Sequence, residues 1–100
     1  MQLTPIPFEP PYSEQDFTFS EKKVQGATIG KKDDALFIVS QSRYKLECDQ
    51  KHLVYIAEGN GHFKWKRGEK DFHRGEGFLL EKIGEYELNG RGKYLIIFEK

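Results

Sequence analysis

Val54-Tyr55-Ile56-Ala57-Glu58-Gly59-Asn60-Gly61-His62-Phe63-Lys64-Trp65-Lys66 is the stretch that decides the fold. An apolar run that begins at His52 ends on Glu58-Gly59-Asn60-Gly61, where glycines take positive φ at little steric cost. Beyond the turn the period is two, so Phe63 and Trp65 share one face while His62, Lys64 and Lys66 share the other. Strand, turn and strand follow one another with no helical stripe between them.

The same grammar extends in both directions. Toward the C-terminus come the Arg67-Gly68-Glu69 turn, Asp71-Phe72-His73, the Gly75-Glu76-Gly77 step, Phe78-Leu79-Leu80, Tyr86-Glu87-Leu88, the Asn89-Gly90 turn and the apolar run Tyr94 to Phe98. Toward the N-terminus, Tyr44-Lys45-Leu46-Glu47 alternates, and the polar turn Lys31-Lys32-Asp33-Asp34 leads into Ala35-Leu36-Phe37-Ile38-Val39. Phe17 and Phe19 alternate with Thr18 and Ser20, and Val24 precedes Gly26. Consecutive hairpins of short β-branched and aromatic segments predict an all-β sandwich or barrel.

With 100 residues the chain holds one modest core, and its 16 basic and 16 acidic side chains cancel to zero. That balance argues against nucleic acid or an anionic membrane as partner and permits self-association, with a homodimer as the expected assembly. All 4 prolines fall in the first eleven residues, and Thr4-Pro5-Ile6-Pro7-Phe8-Glu9-Pro10-Pro11 predicts an extended or polyproline-like arm over residues 1–15, ahead of a single domain over 16–100. Leu3, Ile6, Phe8 and Tyr12 give that arm something to bury, on its own barrel or on a neighbour's edge. The lone Cys48 excludes an intramolecular disulfide and suits a reducing cytoplasm; spacing aims no cation at its sulfur, so an inert thiol is expected. The apolar runs are strand-sized, and the N-terminus lacks the basic and apolar regions of a signal peptide.

Val54 to Gly61, followed after Gly61 by Gly75-Glu76-Gly77-Phe78-Leu79-Leu80, resembles the core of a cupin. Together with Asp16-Phe17-Thr18-Phe19 and Tyr86-Glu87-Leu88-Asn89-Gly90, the order is similar to the C-terminal cupin domain of type I mannose-6-phosphate isomerases, which lacks the metal centre of their catalytic domain. The resemblance implies a small cupin-like β-barrel or jelly-roll sandwich with an accessory role. It carries no catalytic residue across. Where metal-binding cupins place a His pair this chain has Lys45-Leu46-Glu47-Cys48; the Glu position ahead of the turn is His52, and the later His position is Tyr86. Transition-metal centres need three or four converging ligands, so His52 with Glu47 is an inadequate set, and neither a metal nor another cofactor is expected.

In the cupin register His52, Val54 and Ile56 share a face, Tyr86 looks into the same cavity, and Glu47 lies near as an oxygen donor. These residues are the candidate ligand site. The competing reading is that His52 and Tyr86 hydrogen-bond inside a filled barrel. Phe63 and Trp65 read as sheet packing, His62, Lys64, Lys66 and Arg67 as a solvated face, and His73 and Arg74 beside Glu76 as rim residues. No nucleophile elbow, phosphate loop, zinc spacing or RNA-binding signature occurs. The expected function is therefore a metal-free module that binds or senses a sugar or other small polar metabolite. A metal-independent isomerase with His52 or His73 as base and Tyr86 as acid is the alternative, and a dimerisation module is the third; the balance lies away from catalysis.

Overall fold

Eleven strands account for most of residues 3–99, the part of the chain that the computed structural model describes; Met1, Gln2 and Lys100 of the domain bounds expected above lie outside it. They are β1 (Leu3–Ile6), β2 (Thr18–Phe19), β3 (Thr28–Lys32), β4 (Ala35–Ser40), β5 (Arg43–Cys48), β6 (Lys51–Gly59), β7 (Gly61–Trp65), β8 (Gly68–Phe72), β9 (Gly77–Glu81), β10 (Gly84–Asn89) and β11 (Gly92–Glu99). All pair antiparallel in two sheets, one of seven strands in the order β1-β9-β6-β11-β4-β3-β2 and one of four in the order β5-β10-β7-β8. The chain thus forms the expected all-β, cupin-like sandwich.

Not every glycine turn closes a hairpin. Lys32↔Ala35 and Trp65↔Gly68 bracket two-residue hairpin loops, the first with Asp33 at φ +50. By contrast β6 and β7 belong to different sheets, and so do β8 and β9, and β10 and β11. The Gly59-Asn60-Gly61 turn is a corner where the chain leaves one sheet for the other. Gly59 has φ +94, and a Cβ there would run into the backbone oxygen of Arg91; a Cβ on Gly61 would run into that of Asn89. Only glycine lets the strand ends approach so closely.

Between the sheets lies the main core. Val54 and Ile56 of β6, Ile38 of β4, Tyr94 and Ile96 of β11, and Phe78 and Leu80 of β9 meet Phe63, Phe72, Tyr86 and Leu88 of the small sheet, all with essentially no solvent exposure. Phe63 is central, with ring centroids 5.0 Å from Phe72 and 4.9 Å from Phe78 in edge-to-face geometry, and Phe72 in turn lies 5.4 Å from Tyr94. Each such fully buried ring contributes roughly 1.5–3 kcal/mol of burial. Trp65 packs against this core with Phe63, as its spacing predicts.

A second apolar cluster covers the outer face of the large sheet: Phe17, Ala35, Phe37 and Leu95, joined by Tyr12, Phe19, Val39, Tyr55, Ala57 and Ile97. The described part of the segment expected as an extended arm packs on its own domain, one of the two placements its apolar residues allow. Its first part is β1, in register with β9 from Leu3↔Leu80 to Ile6↔Gly77, and Leu3 is completely buried. An edge strand tolerates Pro5, because alternate N–H groups there point away from the ladder. Residues 7–17 then cross the sheet: Phe8 meets Tyr55 at 6.0 Å, Tyr12 meets Phe17 at 5.9 Å, and Phe17 meets Phe37 at 5.5 Å. A 3-10 turn at Glu14–Asp16, with Asp16 accepting from the Ser13 N–H at 2.8 Å, delivers the chain to β2 on the opposite edge.

The small sheet's β5 edge is closed by a side chain. Gln25 and Gly26 form a two-residue turn with φ of +53 and +78, and the Gln25 amide accepts from Lys45 N–H at 2.8 Å and donates to Lys45 C=O at 2.9 Å. No helix of the described residues is long and apolar enough to cross a membrane.

Candidate functional site

His52 and Tyr86 come together. His52 sits on β6, in register with Leu80 and Phe98, and Tyr86 sits on β10, opposite Leu46 and Trp65. Their side chains meet across the gap between the sheets, with His52 Nδ1 to Tyr86 Oη at 2.8 Å. Tyr86 has no exposure and His52 only 5%. The imidazole stands edge-on to Phe98 at 4.7 Å, and the Tyr86 ring lies 6.4 Å from Phe63. Burial pushes the His52 pKa down, against a smaller opposing pull from Asp49, and pushes the Tyr86 phenol well above its usual value. The pair is therefore neutral near pH 7, a single buried hydrogen bond tying one sheet to the other.

Val54 and Ile56 share that face with His52 and are completely buried, on the apolar floor the register assigned them. Glu47 does not join them. Along β5, Tyr44 and Cys48 are buried and Leu46 half-buried, so alternation turns Glu47 to solvent opposite Glu85. Its position in a motif suggested a ligand, but the strand's period of two decides otherwise. The Cys48 thiol points inward, donating to the Leu80 carbonyl at 3.5 Å, and burial raises its pKa. The fold family's metal chemistry does not fit these residues. Among the described residues no three His, Cys, Asp or Glu side chains converge, and His52 spends Nδ1 on Tyr86.

Other polar residues stay at the rim. His73 and Glu76 close their own turn, with the His73 N–H donating to Glu76 Oε1 at 2.6 Å. His62 approaches Glu69 at 3.4 Å on the outside of the small sheet.

An open cleft lies elsewhere, on the outer face of the large sheet beneath the crossing segment. Its volume is about 270 Å³; Phe37, Tyr55, Ala57 and Leu95 form the floor, Pro10 and Tyr12 the overhang, and Glu14, Glu58 and Lys93 the polar wall. Lys93 Nζ bonds Glu14 Oε1 at 3.0 Å and approaches Glu58 Oε2 at 3.5 Å. The hydrogen bond and charge of Glu14 raise the Lys93 pKa, so the cation persists far above neutrality. Lys32 lies 5.5 Å over the Tyr12 ring. The residues of this cleft come from four distant segments, which no local pattern in the sequence brings together. One signal was present: Ala35–Val39 and Tyr94–Phe98 are apolar without alternation, as strands covered on both faces are.

Two facing antiparallel sheets, strands that switch between them at glycine corners, and an aromatic interior define a cupin-fold domain. Solved structures similar to it include mannose-6-phosphate isomerases. The Bacillus subtilis enzyme superposes with a TM-score of 0.67 at 15% identity over 86% of this chain and 30% of that one. The Salmonella typhimurium enzyme, solved with substrate (f6p) and zinc, superposes with a TM-score of 0.59 at 13% identity over 79% of this chain and 22% of that one. The chain thus spans less than a third of either isomerase, and at these identities the likeness is one of fold. No family model matches the sequence, and no curated protein matches it.

Proposed function

We propose that the domain is a non-catalytic binding module that holds a sugar or other small polar metabolite in the outer-face cleft. The observation that carries this reading is the cleft's chemistry: an aromatic and aliphatic floor of Phe37, Tyr55 and Leu95 beside the fixed charges Glu14, Glu58 and Lys93. Tyr55, the part-exposed ring of the floor, can stack on the C–H face of a sugar ring, while a few placed charges orient its hydroxyls. Near 270 Å³ the space suits a monosaccharide-sized molecule. With about a dozen heavy atoms, such a ligand binds with a Kd on the order of 0.1 to 1 mM. The lone buried thiol suits a domain working in the cytoplasm.

The isomerase alternative pairs Tyr86 as acid with His52 or His73 as base, and both members of a pair would have to reach one substrate; His73 lies in an exposed turn closed with Glu76. Tyr86 Oη is bonded to His52 Nδ1 in a closed interior, and binding in the open cleft is the better supported reading. NMR titration with monosaccharides, polyols and hydroxy acids tests it. Shifts are expected at the amides of Phe37, Tyr55 and Lys93 and are lost in Tyr55→Ser. Shifts centred on His52 and Tyr86, or none with any of these compounds, would overturn it.

A further inference from the structure

The outer face of the large sheet is covered unevenly. The crossing segment lies over Tyr55 and Phe37, but the neighbouring row Leu79, Leu53 and Ile97, in register on β9, β6 and β11, is left part-exposed. A solvated antiparallel face would alternate with polar residues here. One step further along the same strands, Glu81, Lys51 and Glu99 stand side by side, all exposed. Among the described residues none of these three takes part in an ion pair, although the register sets Lys51 between two carboxylates.

We propose that a second copy of this chain packs on this end of the sheet face about a two-fold axis. A two-fold operator lays a patch on itself, so the patch must be self-complementary. An acid-base-acid row beside an apolar row meets that condition, because the Lys51 of each protomer faces the partner's Glu81 or the partner's Glu99 while Leu53, Leu79 and Ile97 close the centre. The chain's zero net charge removes long-range repulsion between copies. Edge-to-edge pairing is the less favourable route: Gln25 occupies the β5 edge, β8 carries Glu69, Lys70 and Asp71, and β2 has two residues. This interface lies at the opposite end of the face from the ligand cleft and does not depend on it.

Charge exchange tests the proposal. Sedimentation of the wild-type chain between about 1 and 500 µM should show a reversible dimer. Lys51→Glu makes the row wholly acidic and Glu81→Lys with Glu99→Lys makes it wholly basic. Each variant, folded by circular dichroism, should dissociate at least about tenfold more readily than wild type. Mixing the two should restore a heterodimer in native mass spectrometry. A wild-type chain that stays monomeric throughout, or a dimer indifferent to both variants, overturns the proposal.

Discussion

Tyr86→Phe removes one oxygen atom and leaves the ring in place, so it isolates what the buried hydrogen bond does. The phenol lies 2.8 Å from His52 Nδ1, with no exposure at Tyr86 and 5% at His52. Losing the bond costs about 1 kcal/mol net, and stranding the imidazole nitrogen away from water adds a desolvation penalty of about 1 kcal/mol or more. The expected destabilisation is therefore about 2 kcal/mol, a fall in Tm of about 8–16 °C for a domain of this size. Urea denaturation of wild type, Tyr86→Phe, His52→Leu and the double variant gives the interaction energy directly. The double variant should be less destabilised than the sum of the singles by about 1 kcal/mol or more, because neither group is then left alone. A loss below about 0.5 kcal/mol in Tyr86→Phe would mean that water replaces the phenol. The interior would then be a wet pocket, and the reading of a closed, packed barrel would be wrong.

Other expectations follow from the same structure. Because burial lowers the folded-state pKa of His52, the unfolded chain binds a proton that the folded chain refuses. Stability from this group is present above the unfolded value near 6.5 and falls as the pH drops below it, by up to about 1.4 kcal/mol per pH unit until the folded pKa is reached; urea midpoints from pH 7.5 to 5 should slope less in His52→Gln than in wild type. Gly59→Ala places a Cβ against the Arg91 carbonyl at a positive φ and should cost more than about 2 kcal/mol, read from the thermal midpoint, whereas a neutral effect would show that the corner relaxes. The Cys48 thiol, buried with a raised pKa, should react with a maleimide only at the rate of global unfolding, and fast labelling of the native protein would contradict its placement.

Much of the sandwich is legible in the order of residues, because glycine punctuation and period-two strands are local properties. His62 to Lys66 shows both, and its inward Phe63 follows from spacing alone. Sheet membership is not local. Nothing in Glu58 to Gly61 distinguishes a hairpin from a corner; the distinction appears only when β11 and β10 lie against those glycines. Pro5 and Pro7 argued against a ladder, yet Leu3 to Ile6 pairs as an edge strand, where a missing N–H is tolerated. His52, Val54, Ile56 and Tyr86 share the face that the resemblance assigned them, while Glu47 was placed by motif position against its own strand's alternation. The outer cleft could not be assembled from sequence, since residues as distant as Tyr12 and Leu95 line it.

The position of β11 bears on how such a chain is made. The last strand lies in the interior of the large sheet, between β6 and β4, while β1 waits at the rim for β9. During synthesis β4 and β6 therefore emerge with an empty lane between them, each presenting unpaired backbone and apolar side chains such as Ile38 and Val54. The sheet closes only when Tyr94 to Phe98 has emerged, so its central pairings join segments far apart in sequence, a topology that folds slowly. Until then the unpaired edges and apolar faces of β4 and β6 are at their most prone to aggregation.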